Sequence, residues 1–146
     1  TPSKLRLSSC HFHNSRGNHI AVSGSSLSSL IVDGCDLGAI GTAQGASGQR
    51  FVLSVNSPNA NVSVMGGSIE PGVYPNTTGV SVTNAKTLNL RTTVTGSQFP
   101  ISITAIVDAA VVAGNITRGT SGAASINMGS GVSAKTVQGN NSFDKP

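Results

Sequence analysis

Two histidines that flank one aromatic residue form the most conspicuous chemical motif of the sequence. His11 and His13 lie on either side of Phe12 in "HFH". If this segment is a strand, alternation places both imidazoles on the face opposite Phe12. Such a pair could bind a metal, and three pairs could meet at a trimer axis, but the only further ligands nearby, His19 and Asp36, have no motif spacing. Exposed strand histidines are the preferred interpretation, and we predict neither a metal nor a cofactor.

Carboxylates are the other candidates for chemistry, and the chain has only five Asp and Glu residues. Glycoside hydrolysis generally uses two carboxyl groups about 5–10 Å apart. Asp33 and Glu70 are expected near different corners of the fold, so they are not predicted to pair. Asp33 and Asp36 could converge if the "DGC" bend is sharp, but Asp-Gly is itself a turn signal, and turn-forming roles are preferred. The sequence also has no GxSxG or CxxC motif and no phosphate-binding glycine loop.

The composition excludes several classes of protein. The 146 residues include 18 Gly, no Trp, 3% aromatic and 10% charged residues. β-branched residues among abundant Gly, Ser and Asn favour short strands and tight turns within one domain. The net charge is +4, but the basic residues are scattered, so nucleic acid is not predicted as a partner. No apolar run approaches the roughly 20 residues of a membrane span, so no membrane insertion is predicted.

An apolar phrase recurs along the chain. "LRLSSCHF" at 5–12 returns as "LIVDGCDL" at 30–37, and weaker copies follow. A second phrase, of the "HIAV" type, precedes five of the six copies at a nearly constant distance, although the repeat length varies. Two phrases that keep their mutual spacing indicate a fixed cross-section with loops of variable length. The second apolar position of each copy is Leu7, Val32, Val64, Leu90, Val111 and Val137.

The alternation within these phrases has a period of two, which is typical of half-buried strands. We predict an all-β, single-stranded parallel β-helix of about five to six coils over residues 1–146, stacked at ~4.8 Å. The six positions above form one predicted inward column. A second inward column is Val22, Val55, Val82, Ile103 and Met128. The predicted outward column beside it is Ala21, Ser54, Ser81, Ser102 and Asn127.

Several local features follow from this stacking. Cys10 and Cys35 become vertical neighbours whose side chains point the same way, which suits reduced packing thiols better than a disulfide. Two polar stretches are predicted to be loop excursions, the Gly-rich 38–50 and the Pro-containing 70–79, which holds the only Tyr. At 104–114 a short helix competes with a strand, and the strand is preferred because the neighbouring phrases fit the coils.

The phrases "GNHIAVSGSSLSSLIVDGCDL" and "VSVMGGSI", with the terminal "VQGNNSFD", resemble the repeats of right-handed parallel β-helices in bacteriophage tailspikes and related pectate-lyase-like proteins. The resemblance covers most of the chain and concerns its architecture. It implies a right-handed β-helix, a homotrimer, a place on the virion tail or otherwise outside the cell, and bacterial surface polysaccharide as the partner. Because the first residue is Thr, we also expect a fragment of a longer chain or a processed product.

Two functions are compatible with this resemblance. The first is host attachment by a tailspike or tail fibre segment that binds surface polysaccharide, and the alternative is a fragment of a polysaccharide hydrolase or lyase with catalytic acids partly outside the chain. The scarcity of carboxylates favours binding. The candidate carbohydrate-binding residues are Glu70, Tyr74 and Asp33, because a Tyr ring can stack on a sugar and carboxylates accept hydrogen bonds from hydroxyls. No catalytic residue is assigned.

Overall fold

The computed structural model describes residues 3–13, 18–38, 50–70, 77–97, 99–119, 126–132, 136–139 and 141–144. The strands of these residues form one 13-stranded sheet in which every pairing is parallel. None of these residues is helical. Among the same residues, accordingly, there is no helix of the length and hydrophobicity needed to cross a membrane. The all-β parallel solenoid predicted from the repeats is confirmed.

The strands are short where bends interrupt the pairing and long where pairing continues around the bends. In chain order they are β1 (Ser3–Ser8), β2 (His11–Phe12), β3 (Ile20–Ser23), β4 (Leu27–Asp33), β5 (Asp36–Leu37), β6 (Arg50–Ile69), β7 (Thr77–Ser97), β8 (Phe99–Ile103), β9 (Ile106–Ala113), β10 (Ile116–Gly119), β11 (Ile126–Met128), β12 (Thr136–Gly139) and β13 (Ser142–Asp144).

Each circuit of the solenoid has three sides. Side A contains β3, β8, β11 and the first parts of β6 and β7. Side B contains β1, β4, β9, β12 and the middle parts of β6 and β7. Side C contains β2, β5, β10, β13 and the last parts of β6 and β7. The solenoid has about four turns, whereas five to six coils are predicted.

The inward column predicted for side A is confirmed. Val22, Val55 and Val82 are in register, and the column continues through Ile103 to Met128. The side chains of Val55, Val82 and Ile103 are at most 1% exposed, and each such burial stabilises the fold by about 1.5–3 kcal/mol. The predicted outward column, from Ala21 to Asn127, has the same register, although its central member Ser81 is buried by its neighbours.

The inward column predicted for side B is confirmed up to Leu90 and wrong beyond it. Leu90 pairs with Val112, not Val111. Val112 is fully buried, whereas Val111 and Val137 are 43% and 66% exposed. In the run Ala109-Ala110-Val111-Val112 both alternating sets are apolar, so alternation alone does not determine which set faces inward. The preferred strand at 104–114 is confirmed, since β9 covers most of it.

This register predicts different costs for truncating two adjacent valines. Val112→Ala is expected to lower the free energy of unfolding by about 2 kcal/mol, because it removes buried methyl groups and leaves a cavity. Val111→Ala is expected to change it by less than about 0.5 kcal/mol, as surface substitutions usually do. Urea unfolding followed by circular dichroism measures both values. A larger loss for Val111→Ala than for Val112→Ala would contradict the register.

A column of left-handed residues forms the bend between sides B and C. Ser9, Gly34, Gly66 and Gly114 have φ values between 52° and 69°. Gly reaches this region without the steric cost that a Cβ brings. Of these four left-handed positions, three are accordingly Gly. The repeated left-handed residue turns each chain segment from side B into side C. It thereby aims the side chains just before and just after the bend in different directions.

Two asparagines connect successive coils just after this bend. The Asn115 amide donates to the carbonyl of Leu90 (3.0 Å) and accepts from the backbone N–H of Thr92 (2.9 Å). In the next coil, Asn141 donates to the carbonyl of Val112 (3.0 Å) and accepts from the Asn115 backbone N–H (3.0 Å). Asn115 is fully buried. The amides therefore satisfy backbone groups that the bend removes from the strand ladder.

The two cysteines stack as predicted. The backbone N–H of Asp36 donates to the carbonyl of Cys10 (2.8 Å), so Cys10 and Cys35 occupy the same place in successive coils. Each Sγ approaches the carbonyl two residues earlier, that of Ser8 or of Asp33. Both residues are free thiols, and Cys35 is buried.

The predicted loop excursions fall mostly outside the described residues, which omit 39–49 and 71–76. The C-terminal end of the 70–79 prediction is wrong. Thr77, Thr78 and Gly79 belong to β7 and are buried. A Cβ on Gly79 would overlap the side chain of Val94, so these small residues fit a tight corner of the coil.

Candidate functional site

A groove opens on the outer face of side B, close to the bend into side C. Its volume is about 390 Å³, which is within the range of sites for small ligands. It spans three successive coils. The lining residues are Met65, Asn89, Arg91, Val111, Ala113 and Gly114.

The alternation of β7 places the polar lining residues outward. Leu88 and Leu90 are buried. Asn89 lies between them and Arg91 follows Leu90, so both of these polar residues face solvent. The register then stacks Arg91 on Met65 and Asn89 on Val111. Side chains from three coils, distant in sequence, therefore meet on one surface.

The Arg91 side chain lies against the left-handed bend of the next coil. Its Nε is 3.2 Å from the point that a Cβ on Gly114 would occupy, and its Cγ and Cδ are each 3.6 Å from that point. The absence of a side chain at Gly114 leaves this space to the arginine stem. Arg91 is exposed and has no ion-pair or hydrogen-bond partner among the residues that the structure describes.

The chemistry of the groove is mixed. Met65, Val111 and Ala113 provide an apolar surface, the Asn89 amide can both donate and accept hydrogen bonds, and Arg91 provides a cation with five donors. None of the described residues that line the groove is a carboxylate. The groove is thus suited to a ligand with hydroxyl groups, apolar C–H faces and an acceptor or negative charge.

Of the three predicted binding residues, the structure places Asp33 beside the groove. Asp33 pairs in register with the lining residue Met65, which in turn pairs with Arg91, so Asp33 lies two coils from Arg91. Its carboxylate lies 3.5 Å from Arg6, and both side chains are at least half exposed, so this pair contributes little to stability.

The other two predicted residues are not brought to this groove. Glu70 is exposed and follows β6 at the end of side C, where its backbone N–H donates to the carbonyl of Leu37 (2.8 Å). Asp33 and Glu70 therefore lie on different sides of the solenoid, as the sequence predicts. Tyr74 lies outside the described residues. Carbohydrate binding by Glu70 and Tyr74 stays a prediction.

The histidines form a separate cluster at the N-terminal end of side C. His11 and His13 are exposed, and their rings stack with centroids 6.4 Å apart. The Nδ1 atom of His11 lies 3.2 Å from a carboxylate oxygen of Asp36, whose other oxygen accepts a hydrogen bond from Ser68 (2.9 Å). His19 instead contacts the carbonyl of Gly38. Within the described ranges, no three His, Cys, Asp or Glu side chains are grouped to hold a metal.

The three aspartates whose side chains the structure describes, Asp33, Asp36 and Asp108, contact different partners. Asp33 and Asp36 lie on opposite sides of the Gly34 bend, where Asp33 contacts Arg6 and Asp36 contacts His11. Asp108 is on another element, 4.0 Å from Lys86. These three carboxylates are therefore each close to a different basic side chain.

Sequence reasoning did not identify the residues that line the groove. The "LNLR" phrase at 88–91 already indicates that Asn89 and Arg91 alternate with buried leucines. Val111 lines the groove because the register of β9 turns its side chain outward, whereas the sequence pattern predicts that it faces inward. Likewise, only the stacking of coils shows that Gly114 lies beside Arg91.

Comparisons with known proteins identify no relative of this chain. No family model matches the sequence, and no curated protein or solved structure is significantly similar to it. A parallel β-solenoid supports many functions, so function has to be inferred from the chemistry of this surface.

Proposed function

We propose that this chain is the β-solenoid segment of a phage tailspike or tail fibre that attaches to a bacterium by binding its surface polysaccharide. The observation that carries the proposal is the groove on side B, where the exposed Arg91 and Asn89 lie beside the apolar Met65 and Val111. Saccharides combine hydroxyl groups with apolar C–H faces, so a binding surface for them needs polar and apolar groups side by side.

The rigidity of the outer surface supports this function. Near the bend between sides A and B, Asn84 donates to Asn56 (2.9 Å) and Thr87 donates to Asn61 (2.8 Å), each pair joining successive coils. These side chains are held before any ligand arrives, which reduces the entropy lost on binding. A stacked solenoid also offers an extended surface along which a polymer can lie.

The proposed assembly is a homotrimer on the virion tail. The small side chains of the outward column on side A, from Ala21 to Asn127, would let a neighbouring subunit pack closely there. Packing through side A leaves the groove on side B accessible to a glycan.

Binding is preferred to depolymerisation for the described residues. A hydrolase of the common type needs two carboxyl groups facing one sugar linkage, whereas Asp33 and Asp36 are engaged with different basic side chains across a bend. The groove itself has no carboxylate among the lining residues that the structure describes.

A single experiment separates these functions. The full-length protein is incubated with capsule or O-antigen from candidate hosts, and both retention on the polysaccharide and new reducing ends are measured. Retention without cleavage is expected. Cleavage would instead assign the depolymerase function. If no host polysaccharide retains the protein or is cleaved by it, the segment is a structural shaft.

The proposed trimer has its own test. Sedimentation equilibrium of the same preparation should give a trimer, and a stable monomer at micromolar concentration would contradict the assembly.

A further inference from the structure

We propose that the groove on side B binds an acidic sugar, with the Arg91 guanidinium pairing with a sugar carboxylate and the Asn89 amide binding an adjacent hydroxyl. This inference rests on the proposed glycan-binding function and specifies its ligand class. The groove contains no residue of the histidine cluster or of the two predicted loop excursions.

The charge of the groove favours an anion. Arg91 is an exposed cation with no acidic partner in the described part of the chain, whereas Arg6 and Lys86 each lie within 4.0 Å of an aspartate. A ligand carboxylate therefore needs to break no ion pair to reach Arg91. The net charge of +4 adds a long-range attraction for polyanions.

The geometry of Arg91 favours a planar anion. Its stem rests over Gly114, at 3.2–3.6 Å from the point where a Cβ would lie. Because Gly114 has no side chain, this space is open to the arginine stem, and a larger residue there would have to displace it. A guanidinium also presents two parallel N–H groups that match the two oxygens of a carboxylate.

The remaining lining residues favour a sugar over a small inorganic anion. Asn89 lies two residues before Arg91 on the same outward face of β7, and Val111 stacks on Asn89 in the next coil. Met65 stacks below Arg91. The cation is thus bordered by an amide for hydroxyl groups and by apolar side chains for the C–H face of a ring.

The test compares charged and neutral forms of the same saccharide. Isothermal titration calorimetry is performed on the full chain with oligosaccharides of galacturonate, hyaluronate and alginate, and with their carboxyl-reduced counterparts. We expect at least one carboxylated probe to bind and its carboxyl-reduced form to bind at least about tenfold more weakly, since hydrogen bonds to charged groups are the stronger ones. Arg91→Gln is expected to weaken binding of the same probe about tenfold or more.

A matched variant controls for general electrostatics. Lys86→Gln removes the same charge from the other end of side B and is expected to change affinity by less than about twofold. Asn89→Ala keeps every charge and is expected to weaken binding a few-fold, which provides a second variant if Arg91→Gln does not fold. Circular dichroism verifies the fold of each variant.

Two results would overturn the inference. One is the absence of binding to every carboxylated probe, and the other is an equal loss of affinity in Arg91→Gln and Lys86→Gln. Both are distinguishable from failure of the proposed function, which would appear as no retention on any host polysaccharide, neutral or acidic. Retention on a neutral polysaccharide that is unaffected by Arg91→Gln would preserve glycan attachment and reject the acidic-sugar site.

Discussion

A Gly67→Ala variant is expected to lose about 3 kcal/mol or more of its free energy of unfolding. Gly67 has a φ of 69°, which costs any residue with a Cβ roughly 1–2 kcal/mol. An added Cβ would also overlap the carbonyl oxygen of Cys35 in the coil below and lie 2.8 Å from its nitrogen. These neighbours are backbone atoms of a stacked coil, so they cannot move away as a flexible side chain would, and overpacking adds about 1–3 kcal/mol.

The adjacent glycine provides the control. Gly66 has a φ of 63°, but the atoms nearest to a Cβ added there belong to Gly34, at 3.9 Å. Gly66→Ala should therefore incur only the conformational cost of about 1–2 kcal/mol. Urea unfolding of both variants measures the difference. Equal losses would show that the coils do not stack as closely at Gly67 as the structure indicates.

Replacement of Asn115 by Ala is expected to destabilise the solenoid by about 3 kcal/mol. The substitution removes the acceptor of the Thr92 backbone N–H and the donor to the Leu90 carbonyl, at a position with no solvent exposure. Each buried polar group left without a partner costs about 1–3 kcal/mol. The loss should be measurable as a lower midpoint of urea unfolding and faster amide hydrogen exchange at Thr92.

Two further variants show whether the effect comes from this bonding. Asn115→Asp preserves an acceptor for Thr92 but loses the donor to Leu90, so it should also be strongly destabilising. Asn59→Ala removes one exposed hydrogen bond, 2.9 Å long, to the carbonyl of Ser25, and should cost less than about 1 kcal/mol. A cost for Asn115→Ala no greater than that for Asn59→Ala would contradict the proposed role of the asparagine pair.

Much of the fold could be predicted from local patterns. The alternation in "HIAV" and in the last three residues of "VLSV" indicates inward and outward faces, because Ala21 separates Ile20 from Val22 and Ser54 separates Leu53 from Val55. The recurrence of these phrases then predicts stacking in register, and Val22, Val55 and Val82 do stack in register. The same reasoning placed Cys10 and Cys35 in adjacent coils.

The residues that line the candidate site could not be predicted from sequence patterns. Asp33 lies next to the groove, but Arg91 and Asn89, which carry the proposed binding, were not selected. Nothing in the local sequence distinguishes Arg91 from the other scattered basic residues. Its distinction is its place in the groove, beside Gly114 of the next coil, which depends on what the adjacent coils place beside it.

The sequence by itself determined the repeated parallel strands, the inward column of side A and the outward position of the side-C histidines. In these segments, neighbouring residues differ in polarity, so burial selects one face. Only the tertiary structure decided the register of β9, because Val111 and Val112 are equally apolar and the choice depends on hydrogen bonding to Leu90 and its neighbours. It also decided the groove, since Met65, Arg91 and Gly114 are about 25 residues apart in sequence and meet only when parallel strands stack at ~4.8 Å.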